Sequence, residues 1–193
     1  MPGASIRDLS LFPGPVLFSY AAWKPLQGRQ LAPAGLGVFI QNFGSQHCTK
    51  IHIAAISPPV ASVLQAEAYA LLLAVMVAGC LNIQFTGMFT DNSVLARAAA
   101  ANNIIEDPGH WELAPLLASI FKKRSFDHHK IYHVARHLNF KADFLAKLAL
   151  KLLNKGSSFR CLCASPASRC CPVREALSDL APVLVRLVSV KCS

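Results

Sequence analysis

The sequence predicts an α/β fold built on a mixed sheet, and three observations carry that reading. Its first third holds three strand-like runs joined by short loops bearing Gly and Pro. A long Ala- and Leu-rich stretch without internal proline follows, as a buried helix requires. Strand-like and helical patterns then alternate to about residue 155.

From Pro15 to about Trp23 the residues are apolar and aromatic, and "LQGRQLAPAG" supplies the turn that ends this first strand. The second, "GLGVFIQN", stops at the turn signal "NFGSQ". In "CTKIHIAAIS", Thr49, Ile51 and Ile53 alternate with Lys50 and His52, the period of a half-buried strand. Short connections make the three an antiparallel meander. A helix is expected from Ser62, a suitable N-cap, to about Cys80. "IQFTGMFT" reads as a short strand and "DNSVLARAAAA" as a short helix. "DPGHWELAPLLASIFKK" begins another helix, with Pro108 and Glu112 suiting its first turn. "HKIYHVAR" is the fifth strand, and "NFKADFLAKLALKLLNKG" an amphipathic helix closed at Gly156.

This organisation places one domain over residues 15–155, an N-terminal extension over 1–14 and an appendage over 156–193. In the appendage Ser, Cys, Arg and Pro become frequent, and "VREALSDLAPVLVRLVSV" reads as an apolar helix interrupted by Pro182. The pairs in "CLCASPASRCC" are too closely spaced for a structural zinc site, so free thiols are expected.

Hydrophobic residues make up 53% of the chain and charged residues only 15%, which excludes a disordered polyampholyte. Nineteen Lys and Arg face ten Asp and Glu, a formal charge of +9 that favours polyanionic partners. The longest apolar run, Ala68 to Leu81, is shorter than the roughly 20 residues of a membrane span, so no membrane partner is expected. Asp8, Pro13, Gly14 and Pro15 interrupt the region where a secretory signal would be continuous. The seven cysteines do not form a secreted disulfide framework. An intracellular location, nuclear or cytoplasmic, is expected.

Acidic residues are scarce, and none lies between Asp8 and Glu67. Glu67 sits inside the most apolar helix, with Val63, Leu64, Ala70 and Leu71 at spacings of three and four, so it projects from a core-facing side. A carboxylate buried there needs a donor, cation or metal. Asp91 ends a strand, where it is either an N-cap or a site residue. Asp143 lies near the start of the last helix and has Lys147 one turn away as an alternative partner.

Taken in order, "AAWKP", "AGLGVFIQ", "QAEAYALLLAV", "MFTDNSVLARA", "HWELAPLLASI" and "YHVARHLNFKADFLAKLAL" resemble the ribonuclease H domain of plant non-LTR retroelement proteins, from about Val16 to Leu153. The resemblance implies a ribonuclease H-like fold with a five-stranded mixed sheet. It also implies endonucleolytic cleavage of the RNA strand in an RNA–DNA hybrid by two magnesium ions (Mg2+) held by four carboxylates. By motif, Glu67, Asp91 and Asp143 match three of these metal-binding, catalytic carboxylates. His133, ten residues before Asp143, matches a histidine that assists proton transfer or product departure, or else is simply a strand residue. Asn139 matches a loop-orienting position and Arg136 a basic one.

At the fourth position, on the first strand, stands Tyr20. A neutral phenol with a reference pKa of about 10 cannot serve as a carboxylate at neutral pH. Magnesium is therefore expected to bind weakly, and cleavage to be lost or severely reduced. Binding of nucleic acid, an RNA–DNA hybrid first, can survive, because basic side chains supply it: Lys122, Lys123, Arg124, His128, His129 and Lys130 in one patch, Lys24 and Arg29 beside the first hairpin. The same patch could be a solvated helix end. Trp23 and Trp111 are expected in the core or packed against helices rather than as base-stacking platforms. The rival expectation is a non-enzymatic retroelement remnant acting through protein contacts.

Overall fold

Two long strands rich in β-branched and aromatic residues set the middle of the fold, which a computed structural model describes for residues 3–25, 31–45, 48–101, 108–161, 172–178 and 185–193. These are β3 (Ala32–Ser45) and β4 (Cys48–Val60), paired antiparallel with register shifts near Pro33 and again beyond Gln41. β2 (Val16–Ala22) pairs antiparallel with β3 on its other side. β5 (Gly87–Thr90) runs parallel to β2, and β6 (Ile131–Val134) parallel to β5. These are the five strands the sequence predicts.

The described sheet has eight. β1 (Ser5–Ile6) adds to β6 in parallel, so part of the segment read as an N-terminal extension belongs to the sheet. At the far edge β8 (Arg186–Cys192) pairs antiparallel with β4, and β7 (Ser158–Cys161) parallel with β8. The order is β1-β6-β5-β2-β3-β4-β8-β7. The expected C-terminal apolar helix is replaced by the short helix α5 (Pro172–Ser178), numbered fifth in the chain, and by β8. The reason lies in the period: Val190 and Cys192 are buried on the α1 side and alternate with Ser189 and Lys191, while Val188, at the register shift opposite Ala54 and Ala55, packs on the α4 side, which suits a strand completing the open edge of β4.

Helix α1 (Val63–Cys80) begins where the sequence places it, with the Ser62 hydroxyl accepting from the Gln65 N–H. It is buried on nearly every side, as a helix apolar all round should be. Among the described residues it is the one helix long and apolar enough, at mean hydropathy 1.8, to cross a membrane by length and composition. Here it packs on β2 and β3. Helices α2 (Ser93–Ala101) and α3 (Ala114–Phe121) share its side of the sheet, over Leu17, Leu36, Val38, Ile53 and Met88. A 3-10 turn over Pro108–Leu113 precedes α3, and on it Trp111 is 81% exposed rather than in the core. Trp23 is partly buried and donates from Nε1 to the Ala32 carbonyl at 3.2 Å.

Helix α4 (Phe140–Lys151) covers the opposite face, over Phe18, Tyr20, Phe39, Ala54 and Phe89. It ends at Lys151, before Gly156. "CLCASPASRCC" beyond Cys161 lies outside the described residues, as does Arg29.

Candidate active site

The site is assembled by the way α4 seats on β3. Residues on β3 alternate, so Leu36, Val38 and Ile40 face α1 while Gly35, Gly37 and Phe39 face α4. A Cβ on Gly37 would stand 2.0 Å from the Ala142 carbonyl oxygen, and one on Gly35 2.0 Å from that of Ala146. The helix backbone therefore rests directly on the strand. Tyr20 is the register partner of Gly37, so this close approach brings Asp143, the residue after Ala142, within reach of the same Arg136 guanidinium that holds Tyr20.

Tyr20 is 7% exposed. Its hydroxyl accepts a 2.5 Å hydrogen bond from Arg136 Nη2, and the guanidinium carbon lies 5.3 Å from the ring centroid. The same Nη2 stands 3.6 Å from Asp143 Oδ1. Lys147 holds Asp143 Oδ2 at 2.6 Å, so the surface partner foreseen in the sequence is present as well. Arg136 follows β6 on a 3-10 turn that leaves its side chain 65% exposed.

Glu67 reaches the site from α1. It is 4% exposed, and its Oε2 accepts from the Ala21 backbone N–H at 3.1 Å, one residue beyond Tyr20. Asp91 follows the end of β5. The N-cap role open to it falls instead to Asn92, whose Oδ1 accepts from the Leu95 N–H at 3.0 Å, so the Asp91 carboxylate is left for the site. Asn139, 1% exposed, ties the parts together: its Nδ2 donates to the Ser19 carbonyl at 2.9 Å and to Asp91 Oδ1 at 3.4 Å. Asn139 Oδ1 has no hydrogen-bond partner among the described residues. Nothing in the sequence marks Ser19, because it acts here through its backbone carbonyl.

The electrostatics follow from burial. Desolvation, then the Asp91 charge, pushes the Glu67 carboxyl well above its usual range, against the pull of the Ala21 N–H. Burial also raises Asp91, with Asn139 opposing. The Tyr20 phenol is pushed up to about 12, by burial first and against the nearby guanidinium, so it is neutral at any physiological pH. Glu67 thus binds its proton more tightly folded than unfolded. That contributes stability which is fully present below the ordinary glutamate pKa and is lost as pH rises through the folded value. Glu67→Gln keeps an acceptor for Ala21 and removes the charge. It should stabilise the chain at about pH 8, by on the order of 1 kcal/mol, with the gain vanishing near about pH 4. Thermal melts followed by circular dichroism read this directly; an equal gain at both pH values would contradict it.

The donor set does not suit a pair of magnesium ions. One of four expected carboxylates is a neutral phenol, and Asp143 Oδ2 is taken by Lys147, while its buried Oδ1, 3.6 Å from Arg136, has no hydrogen-bond partner among the described residues. Among the described residues no group of three or more His, Cys, Asp and Glu has the arrangement of a metal centre.

His133 lies within β6, in register with Thr90, and its Nδ1 is 2.6 Å from the Ser5 hydroxyl. Tyr132 and Val134 on either side of it pack under α4, so His133 stands on the other face. Lys122, Lys123 and Arg124 are exposed in the turn after α3, and Lys24 is exposed after β2. Lys130 is half-buried and 3.5 Å from Asp127.

No protein-family model and no curated protein matches the sequence. Solved structures do match in shape. The RNase H1 of the halophilic archaeon Halobacterium salinarum superposes with a TM-score of 0.53 at 17% identity, covering 71% of this chain and 97% of that one. LC11-RNase H1, solved in complex with an RNA/DNA hybrid, gives 0.53 at 18% identity, over 73% of this chain and 99% of that one. The N-terminal RNase H domain of a Mycobacterium tuberculosis protein gives 0.52 at 15%, over 74% and 96%. The fold is ribonuclease H-like. Within a ribonuclease H-like domain of this kind, β1, β7 and β8 are additions to the five strands expected from the sequence.

Proposed function

We propose that the chain is a retroelement-derived ribonuclease H-like domain that binds nucleic acid, RNA–DNA hybrid by preference, and does not cleave it. The observation that carries this reading is the Tyr20–Arg136 pair. It sits among Glu67, Asp91 and Asp143 at the strand position where the family resemblance calls for a carboxylate. A phenol bonded to a guanidinium supplies neither the charge nor the open coordination that a two-ion phosphodiester hydrolysis needs. Support for the hybrid as ligand comes from LC11-RNase H1, whose structure contains one, and from the exposed cations of this chain. Plant origin rests on the motif resemblance, and an intracellular place on the interrupted N-terminal region and the cysteine pattern of the sequence.

Phosphate contacts need only basic side chains, and their signature is salt dependence. Fluorescence anisotropy with a labelled hybrid should therefore show affinity falling steeply with salt. Replacing Lys122, Lys123 and Arg124 by Glu should weaken binding at least about ten-fold and lower the logarithmic salt slope by about 2–3. Hybrid binding unaltered by the triple variant would remove the patch from the interface. Absence of hybrid binding by the folded chain would remove the proposal.

A further inference from the structure

Helix α4 carries two apolar stripes. Ala142, Leu145, Ala146 and Ala149 are buried against the sheet. Phe140, Phe144 and Leu148, spaced four apart, form a second line on which Phe140 is 59% and Phe144 64% exposed. This line is one wall of a groove of about 410 Å³ whose other wall is His52 on β4 with Ser189 and Lys191 on β8. The added strand β8 thus builds a surface that the carboxylate site does not use. A volume of this size with mainly apolar walls and a few placed polar groups has the character of a binding site.

Its charge is one-sided. The Lys141 ammonium stands over the ring of buried Phe39 at 4.3 Å and is 5.7 Å from the Phe140 centroid. Desolvation and the Lys50 charge lower its pKa, and no carboxylate among the described residues forms an ion pair with it. Lys191 is exposed on the facing wall. No Asp or Glu side chain lines the groove. Burial, then the charges of Lys191, Lys141 and Lys50, holds the His52 imidazole below its usual range. A cation kept partly out of water by apolar walls is left to be neutralised by whatever fills the space.

The shape selects among anionic occupants. Phe140, Phe144 and Leu148 extend over about 12 Å at 1.5 Å per residue, a length that two turns of a helix match and a single base or short acyl chain leaves partly bare. We infer that the groove docks an amphipathic acidic helix of a protein partner. The partner's apolar residues at i, i+3 or i+4 and i+7 lie along Phe140, Phe144 and Leu148, and its carboxylates on Lys141 and Lys191.

Selection of displayed random peptides of about 16 residues, some four turns of helix, on the full chain tests this without presuming a partner. Enriched peptides should be net acidic, carry that apolar spacing and bind with Kd of about 1–100 µM. Phe144→Ser should weaken them at least about ten-fold, and Lys141→Glu with Lys191→Glu should turn the selection towards Lys-bearing peptides. Phe144 is exposed, so an unchanged thermal melt verifies that its replacement leaves the fold intact. The inference is overturned by enrichment of basic or unpatterned peptides, by no enrichment, or by affinity indifferent to Phe144→Ser. It is equally overturned if Phe144-dependent binding is found instead for labelled single-stranded DNA or decanoic acid, or for a second copy of the chain in sedimentation.

Discussion

Purified wild-type chain is expected to leave an RNA–DNA hybrid uncut in magnesium, while Tyr20→Asp should cut it at least about 10²-fold faster than any residual wild-type rate. Aspartate restores the missing charge and is smaller than the phenol, which opens room between Glu67, Asp91 and Asp143. It also removes the hydroxyl that tethers Arg136. With its side chain 65% exposed, the guanidinium can then turn to solvent and release Asp143, whose other partner, Lys147, is itself 55% exposed. Tyr20→Phe separates the two effects: it cuts the tether without adding charge and should stay silent. Adding Asp91→Asn to Tyr20→Asp should abolish the gained activity, which distinguishes it from a contaminating nuclease. A folded Tyr20→Asp that remains silent would show that the loss runs deeper than this residue. Activity gained by Arg136→Ala alone would show that the guanidinium, rather than the missing carboxylate, blocks the site.

Of the candidate site residues only Glu67 stands out on physical grounds, as a carboxylate inside an apolar helix; Asp91 and Asp143 enter through the motif resemblance, and the structure brings Glu67, Asp91 and Asp143 near Tyr20. At Asp91 the cap reading falls to its neighbour, since Asn92 caps α2. For Asp143 the surface pairing is present, with Lys147 on Oδ2, and Arg136 stands 3.6 Å from Oδ1. The C-terminal strand hides behind its composition: the Leu-rich residues before it suggest a helix, and only Val190 and Cys192 alternate cleanly with Ser189 and Lys191, because Val188 sits at a register shift. Trp111 is exposed for a different reason. A 3-10 turn carries it, and the turn buries Leu113 instead. The groove beside α4 was invisible because one of its walls is that unforeseen strand.

Gly37→Ala is expected to destabilise the chain by about 3 kcal/mol or more. The new Cβ would meet the Ala142 carbonyl oxygen at 2.0 Å, the Ala146 nitrogen at 2.7 Å and the Ala142 carbonyl carbon at 2.9 Å. All three are backbone atoms, so no side-chain rotation relieves the contact and α4 has to lift from β3. Gly156→Ala, where nothing lies within 4 Å, is the matched control and should stay within about 0.5 kcal/mol of wild type. Urea denaturation measures both, and equal midpoints for the two variants would show that α4 does not rest on β3 as closely as described. The consequence reaches the site, because α4 carries Asp143 and begins at Asn139. In a Tyr20→Asp background, Gly37→Ala should therefore suppress the regained cleavage even where the chain remains folded. A displacement of about 1 Å can cost 10²-fold when a reaction depends on fixed geometry. Cleavage that survives in the folded fraction would mean that the carboxylates are held by Asn139 and the strand ends rather than by the seat of α4 on the glycines.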